Sequence, residues 1–237
     1  MTEADLHLLL PELILVVSGM ALLMFGVIRG DKSLGIVSVL SVIAMAASAG
    51  AILGQGEATT SGFEHAFVAD GFARFAKLLI LLGSAAAIGL AQGYLRNEKI
   101  AKFEFPILIL FATTGMMIMV SAQNFIGFYM GLELQNLALY VLAAFNRDSL
   151  RSSESGLKYF VLSALASGLL LYGMSFIYGF TGSTDYAAVA QVIARSGMNI
   201  GLVFGLVFFI ARIIFKLSAV PFHLWTPDVY EVAPTPV

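Results

Sequence analysis

The chain has 237 residues, 59% hydrophobic and 12% charged, with a mean hydropathy of +0.91 and a formal net charge of -2. Apolar content this far above the roughly 45–50% of soluble domains describes an integral membrane protein. The near-neutral balance, with no basic tract, excludes a nucleic-acid partner. The lack of cysteine excludes disulfides, thiolate zinc sites and cysteine-ligated iron-sulfur clusters within the chain.

The opening MTEADLHLLLPELILVV is acidic where a secretory signal is basic, and its apolar run continues to about Ile28, so it reads as a retained first helix. Hydropathy and breaker residues mark seven spans at roughly 8–28, 34–53, 71–93, 105–122, 125–145, 156–179 and 198–222, each near the ~20 residues a bilayer requires. The predicted fold is an all-α bundle of about seven transmembrane helices. GSTDYAAVAQVIARSG, before the last span, predicts a short interfacial helix with Tyr186, Val189, Val192 and Ile193 on one side. His7, His65 and His223 fall in or beside predicted connections, which argues against a haem held between transmembrane histidines.

Arg29 and Lys32, then Arg96, Lys99 and Lys102, then Arg147 and Arg151 follow the odd-numbered spans. Glu57, Glu64, Asp70 and Asp185 mark the opposite loops, where Arg195 is the one basic residue, so the N-terminus is predicted to face away from the cytoplasm. Arg74 and Lys77, early in the third span, fit this less well and are expected to snorkel to the headgroups. The closing APTPV reads as the approach to a further helix, so the sequence is expected to be incomplete.

Charges inside the spans are the candidate functional residues, since each costs about 2.5–3.5 kcal/mol at mid-helix. Glu133 lies about eight residues into the fifth span, ~12 Å deep at 1.5 Å per residue. Tyr129, Asn136 and Tyr140 share its face at i-4, i+3 and i+7. Lys158 opens the sixth span, where snorkelling and function compete, and Tyr159, Ser163 and Ser167 continue a polar line best read as small-residue packing. In the seventh span, IARIIFKLSAVPFHLW sets Arg212 and Lys216 at i and i+4, two like charges that require an anionic partner or water. Pro221 then predicts a break just after the lysine, and broken membrane helices line cavities. Together these residues suggest a carboxylate and an amine facing each other across helices, each favouring the other's charge, so that separating them releases a proton.

GLELQNLALYVLAAFNR, SGLKYFVLSALASGLLLYG and FKLSAVPFHLWTPDVYE resemble the antiporter-like subunit N family of bacterial proton-pumping NADH:quinone oxidoreductase, respiratory complex I. The resemblance covers roughly residues 105–237, and VPFHLWTPDVYE followed by APTPV is its most specific run. It implies an N-terminal trio of helices over 1–103 and most of a first inverted repeat over 104–237, incomplete at its end, with the seventh helix broken. It also implies a proton relay of Glu133, Lys216 and Lys158, with Tyr129, Asn136, Tyr140, Arg212, Pro221 and His223 in support. NADH, flavin, iron-sulfur clusters and quinone would all reside in partner subunits, with no cofactor in this chain. Its partners would be other membrane subunits, including sibling antiporter-like ones, in the bacterial inner membrane. The family usually has Gly where this chain has Val232, which disfavours a positive φ at that point. No phosphate loop, HExxH or nucleophile elbow is present, so the chain alone is predicted to catalyse nothing. Competing readings are a subunit of an Mrp-type cation/proton antiporter and a purely structural membrane subunit whose buried charges only fix helix register.

Overall fold

The computed structural model describes residues 3–56 and 59–236; Glu57 and Val237, which entered the sequence argument, lie outside the described residues. A short α1 (Glu3–Leu8) precedes α2 (Leu10–Arg29), a 3-10 turn at Asp31–Ser33 and α3 (Leu34–Gly54). A hairpin of β1 (Thr60–Gly62) and β2 (Phe67–Ala69) leads into α4 (Gly71–Asn97), α5 (Glu104–Ser121) and α6 (Phe125–Ala143). Then follow α7 (Leu150–Thr181), α8 (Tyr186–Ser196), α9 (Ile200–Lys216) and α10 (Thr226–Val232).

Six helices among the described residues, α2 to α7, are long and apolar enough to cross a membrane. The predicted seventh is α9, whose 17 residues span about 26 Å at 1.5 Å per residue. It ends at Lys216 rather than continuing to residue 222, and the break contains Ser218 at φ 56 and a cis Val220–Pro221 peptide. Side-chain caps set several starts: Asp70 accepts from Ala73 N at 2.7 Å, Asn124 from Gly127 N at 2.6 Å and Asn199 from Leu202 N at 2.9 Å. Ser149 caps α7, so that helix begins at Leu150 and takes in polar residues expected in a loop. The predicted interfacial helix is α8, with Val189 its buried residue. The hairpin was not foreseen, because two three-residue strands are too short for periodicity to register.

Two close helix crossings hold the bundle. A Cβ on Gly115 of α5 would lie 2.5 Å from Gln135 N, and one on Gly131 of α6 would lie 2.7 Å from Met119 N. A Cβ on Gly173 of α7 would lie 2.7 Å from Gly205 O of α9. These backbones approach as only small residues allow. The core around Leu15, Met45, Leu81, Leu110 and Met117 runs from α2 through α5 and reaches Leu142 of α6, so packing continues across residue 103.

At one end of the bundle Lys102 pairs with Asp31 at 2.6 Å and Arg151 with Glu231 at 2.6 Å. At the other, backbone contacts join the hairpin to the α5–α6 connection and to the start of α8. Phe67 bridges Ala122, Gln123 N donates to Ala66 O at 3.0 Å, and Asn124 bridges Asp185. Val232 closes α10 in a helical conformation, so no positive φ is demanded of it.

Candidate functional site

The face of α6 predicted from spacing meets α7 and α9. The Glu133 carboxylate is 20% exposed and pairs with Arg212 of α9, Nη2 to Oε1 3.3 Å. The Ser167 hydroxyl of α7 donates to the same oxygen. Arg212 is fully buried, and its Nη1 donates to Ser163 Oγ at 2.9 Å. The Tyr140 hydroxyl also donates to Ser163 Oγ, at 2.6 Å. One turn beyond Arg212, the Lys216 ammonium donates to Asn136 Oδ1 at 2.7 Å, and Asn136 Nδ2 lies 3.4 Å from Glu133 Oε1.

The register explains the assembly. Glu133 with Arg212 and Asn136 with Lys216 advance together, so α6 and α9 run parallel as the fifth and seventh crossings of a bundle must. Glu133 with Ser167 and Tyr140 with Ser163 run in opposite senses, which makes α7 antiparallel to both. The i, i+4 cations on α9 therefore meet different partners: the guanidinium holds the carboxylate, and the ammonium holds the amide.

The sequence sets Glu133 and Lys216 facing each other across helices, and the structure places other groups against the carboxylate. Arg212 is the charge partner of Glu133, and Asn136 stands between the carboxylate and Lys216. Ser163 and Ser167, expected as packing residues, supply hydroxyls to the network. Tyr129 is half-buried and packs against the apolar cluster that includes Phe125, Leu132 and Leu170. Lys158 is not brought to Glu133. Its half-exposed side chain pairs with Glu154 and with Asp228 of α10, each at 3.0 Å. Pro221 and His223 are exposed in the break.

Lys216 also lines a cavity of about 460 Å³ between α6, α7 and α10, bounded by Tyr94, Tyr159, Trp225 and Glu231. Trp225 stacks on Tyr159 at 4.7 Å and 14° and on Phe215 at 5.4 Å and 21°, fixing the segment after the break against the site. A second buried charge pair was missed in sequence: Lys77 of α4 meets Glu12 of α2 at 2.7 Å, with side chains 2% and 4% exposed. The only signal for it was two charges within spans; residues so distant in sequence give no spacing by which to pair them.

Residues 122–237 match the family described as NADH:quinone oxidoreductase/Mrp antiporter, TM. The chain is 57% identical to NADH-quinone oxidoreductase subunit N of Maricaulis maris, covering 100% of this chain and 49% of that protein. Against the subunit N of Paramagnetospirillum magneticum it is 53% identical, with 98% and 49% covered. The chain is similar to this antiporter-like membrane-subunit family. It spans about half the length of the curated relatives it matches. A chain of respiratory complex I from Thermus thermophilus, solved with bound Aureothin, superposes with a TM-score of 0.78 at 30% identity over 95% of this chain and 48% of that one. A chain of the Mrp complex from a Dietzia species has a TM-score of 0.72 at 20% identity, covering 98% and 44%, and shares the fold. The protein is thus a multi-pass, antiporter-like membrane protein.

Proposed function

We propose that the chain forms the N-terminal part of a proton-translocating membrane subunit of an NADH:quinone oxidoreductase, with Glu133, Asn136, Arg212 and Lys216 as its relay. The observation that carries this reading is the continuous polar contact from Lys216 through Asn136 to Glu133 and Arg212, between two helices of the bundle. The subunit N relatives, 53% and 57% identical, favour NADH:quinone oxidoreductase over a cation/proton antiporter, whose Mrp chain is 20% identical.

In this mechanism the Arg212 guanidinium supplies the counter-charge to Glu133. Lys216 is the mobile member. While its ammonium rests on Asn136 it is held short of the carboxylate. Moving toward Glu133 brings the opposite charge closer and favours its protonated form, whereas retreat into the cavity beside Tyr159 removes that support and favours proton release. The amide of Asn136 fixes the resting distance and carries no proton itself. NADH, flavin, iron-sulfur clusters and quinone belong to partner subunits, and work reaches this chain through neighbouring membrane subunits in the bacterial inner membrane. Lys158 then acts at the break, through Asp228, rather than within the relay.

The test is Glu133→Gln in the intact parent complex, with proton uptake and NADH oxidation measured together in membrane vesicles. Assembly with reduced proton uptake, or with both rates reduced together, supports the relay. Full assembly with unchanged pumping removes it.

A further inference from the structure

The N-terminal helices carry a second carboxylate and amine whose burial exceeds that of the relay pair. Glu12 stands in the first turn of α2 and Lys77 on the buried face of α4. Their side chains are 4% and 2% exposed and their charged atoms lie 2.7 Å apart. Two features separate this pair from an ordinary interhelical clasp. Both oxygens of the Glu12 carboxylate are buried with no hydrogen-bond partner among the described residues, so the ion contact with Lys77 leaves the carboxylate unsatisfied. The ammonium also sits 4.7 Å from the centroid of the Phe67 ring, which covers it from the hairpin. A desolvated ion pair left partly unsatisfied is a poor device for stability, since well-packed apolar residues would serve as well or better.

The same Phe67 ties the pair to the relay helix. Its backbone bridges Ala122, Gln123 N binds Ala66 O, and Asn124 then caps α6, the helix that carries Glu133. A shift of the hairpin that uncovers Lys77 therefore moves the start of α6.

We propose that Glu12 and Lys77 form a second protonatable site, distinct from the Glu133 relay, in which a buried ion pair under Phe67 trades its proton as the hairpin moves with α6. In the exchange the Lys77 N–H bond breaks and a Glu12 O–H bond forms, taking the pair from one positive and one negative charge to two neutral groups. No other reactant is needed.

This inference rests on the proposed proton-translocating role, and its test uses the parent complex in vesicles with Glu133→Gln as a parallel control. Lys77→Arg keeps the charge pair but replaces the ammonium by a guanidinium that does not give up its proton. The proposal expects this variant to assemble and to lose proton uptake per NADH oxidised. It expects the same of the apolar double variant Glu12→Leu, Lys77→Met. A readout independent of pumping is the protonated-carboxyl band in infrared difference spectra on turnover, expected in the parent and reduced in Glu12→Gln. Either variant assembling with an unchanged proton ratio overturns the second site, as does loss of assembly in both, which would identify a structural clasp. If Glu133→Gln also pumps normally, the translocating role itself fails; if only the Glu12 and Lys77 variants pump normally, the failure is confined to this site.

Discussion

Arg212 decides how Glu133 can exist at its depth. The guanidinium is fully buried and touches both the carboxylate and Ser163, so removing it leaves a largely buried charge without its partner. Arg212→Met is expected to cost about 3–5 kcal/mol, read as a lower melting temperature of the purified parent complex. Adding Glu133→Gln should recover part of that loss, because the orphaned charge is then gone. Tyr140→Phe should be far milder, about 0.5–1.5 kcal/mol, since only the bond to Ser163 is lost. At this scale the sequence was informative about one helix at a time. The stripe of Tyr129, Glu133, Asn136 and Tyr140 follows from helical period alone. The partner assigned to Glu133 depended on the register between α6 and α9, which no spacing within one helix contains. Arg212 and Lys216 lie one turn apart, and a shift of one turn exchanges which of them meets the carboxylate.

The elements that set this register are α7 and α10. At the α7–α9 crossing Gly173 lies against Gly205, and Gly173→Val would press a side chain onto the Gly205 carbonyl and Phe208. The cost is expected to be about 1–3 kcal/mol, accompanied by reduced pumping, because α7 carries Ser163 and Ser167 into the site. The segment after the break is held by two unequal attachments. Trp225 is buried in its stack with Tyr159 and Phe215, so Trp225→Ala should cost about 3–5 kcal/mol. The pair of Lys158 with Asp228 is half-exposed and screened by solvent, so Asp228→Asn should leave the melting temperature nearly unchanged. Thermal denaturation of both variants distinguishes an aromatic anchor from an ionic one. The break was legible because Pro221 cannot continue a helix. The docking of α10 was not, because a seven-residue helix has too few turns to display a face.

For the whole molecule, the ion pairs Lys102–Asp31 and Arg151–Glu231 gather at one end, and the hairpin, residues 122–124 and the start of α8 gather at the other. That division agrees with the alternation of basic loops, from which we propose that the hairpin end faces away from the cytoplasm. These 237 residues contain no cysteine, so a single thiol introduced among them reports the sidedness of its own position. Glu64→Cys should react with an impermeant reagent from the non-cytoplasmic side, and Glu98→Cys only from the cytoplasmic side; the reverse pattern would invert the topology. Span number and approximate limits were readable because hydropathy is a local sum. The Glu12–Lys77 pair was not, because it joins α2 to α4 and exists only once the bundle has closed.

The measurement that bears most directly on the relay is proton uptake alongside NADH oxidation in vesicles carrying the parent complex with Glu133→Gln. The substitution preserves shape while removing the charge that Arg212 holds and Lys216 approaches. The account predicts a fully assembled complex whose proton uptake falls, alone or together with NADH oxidation. Normal uptake and oxidation at equal assembly would contradict it and leave Glu133 as a residue that only holds α6 to α7 and α9.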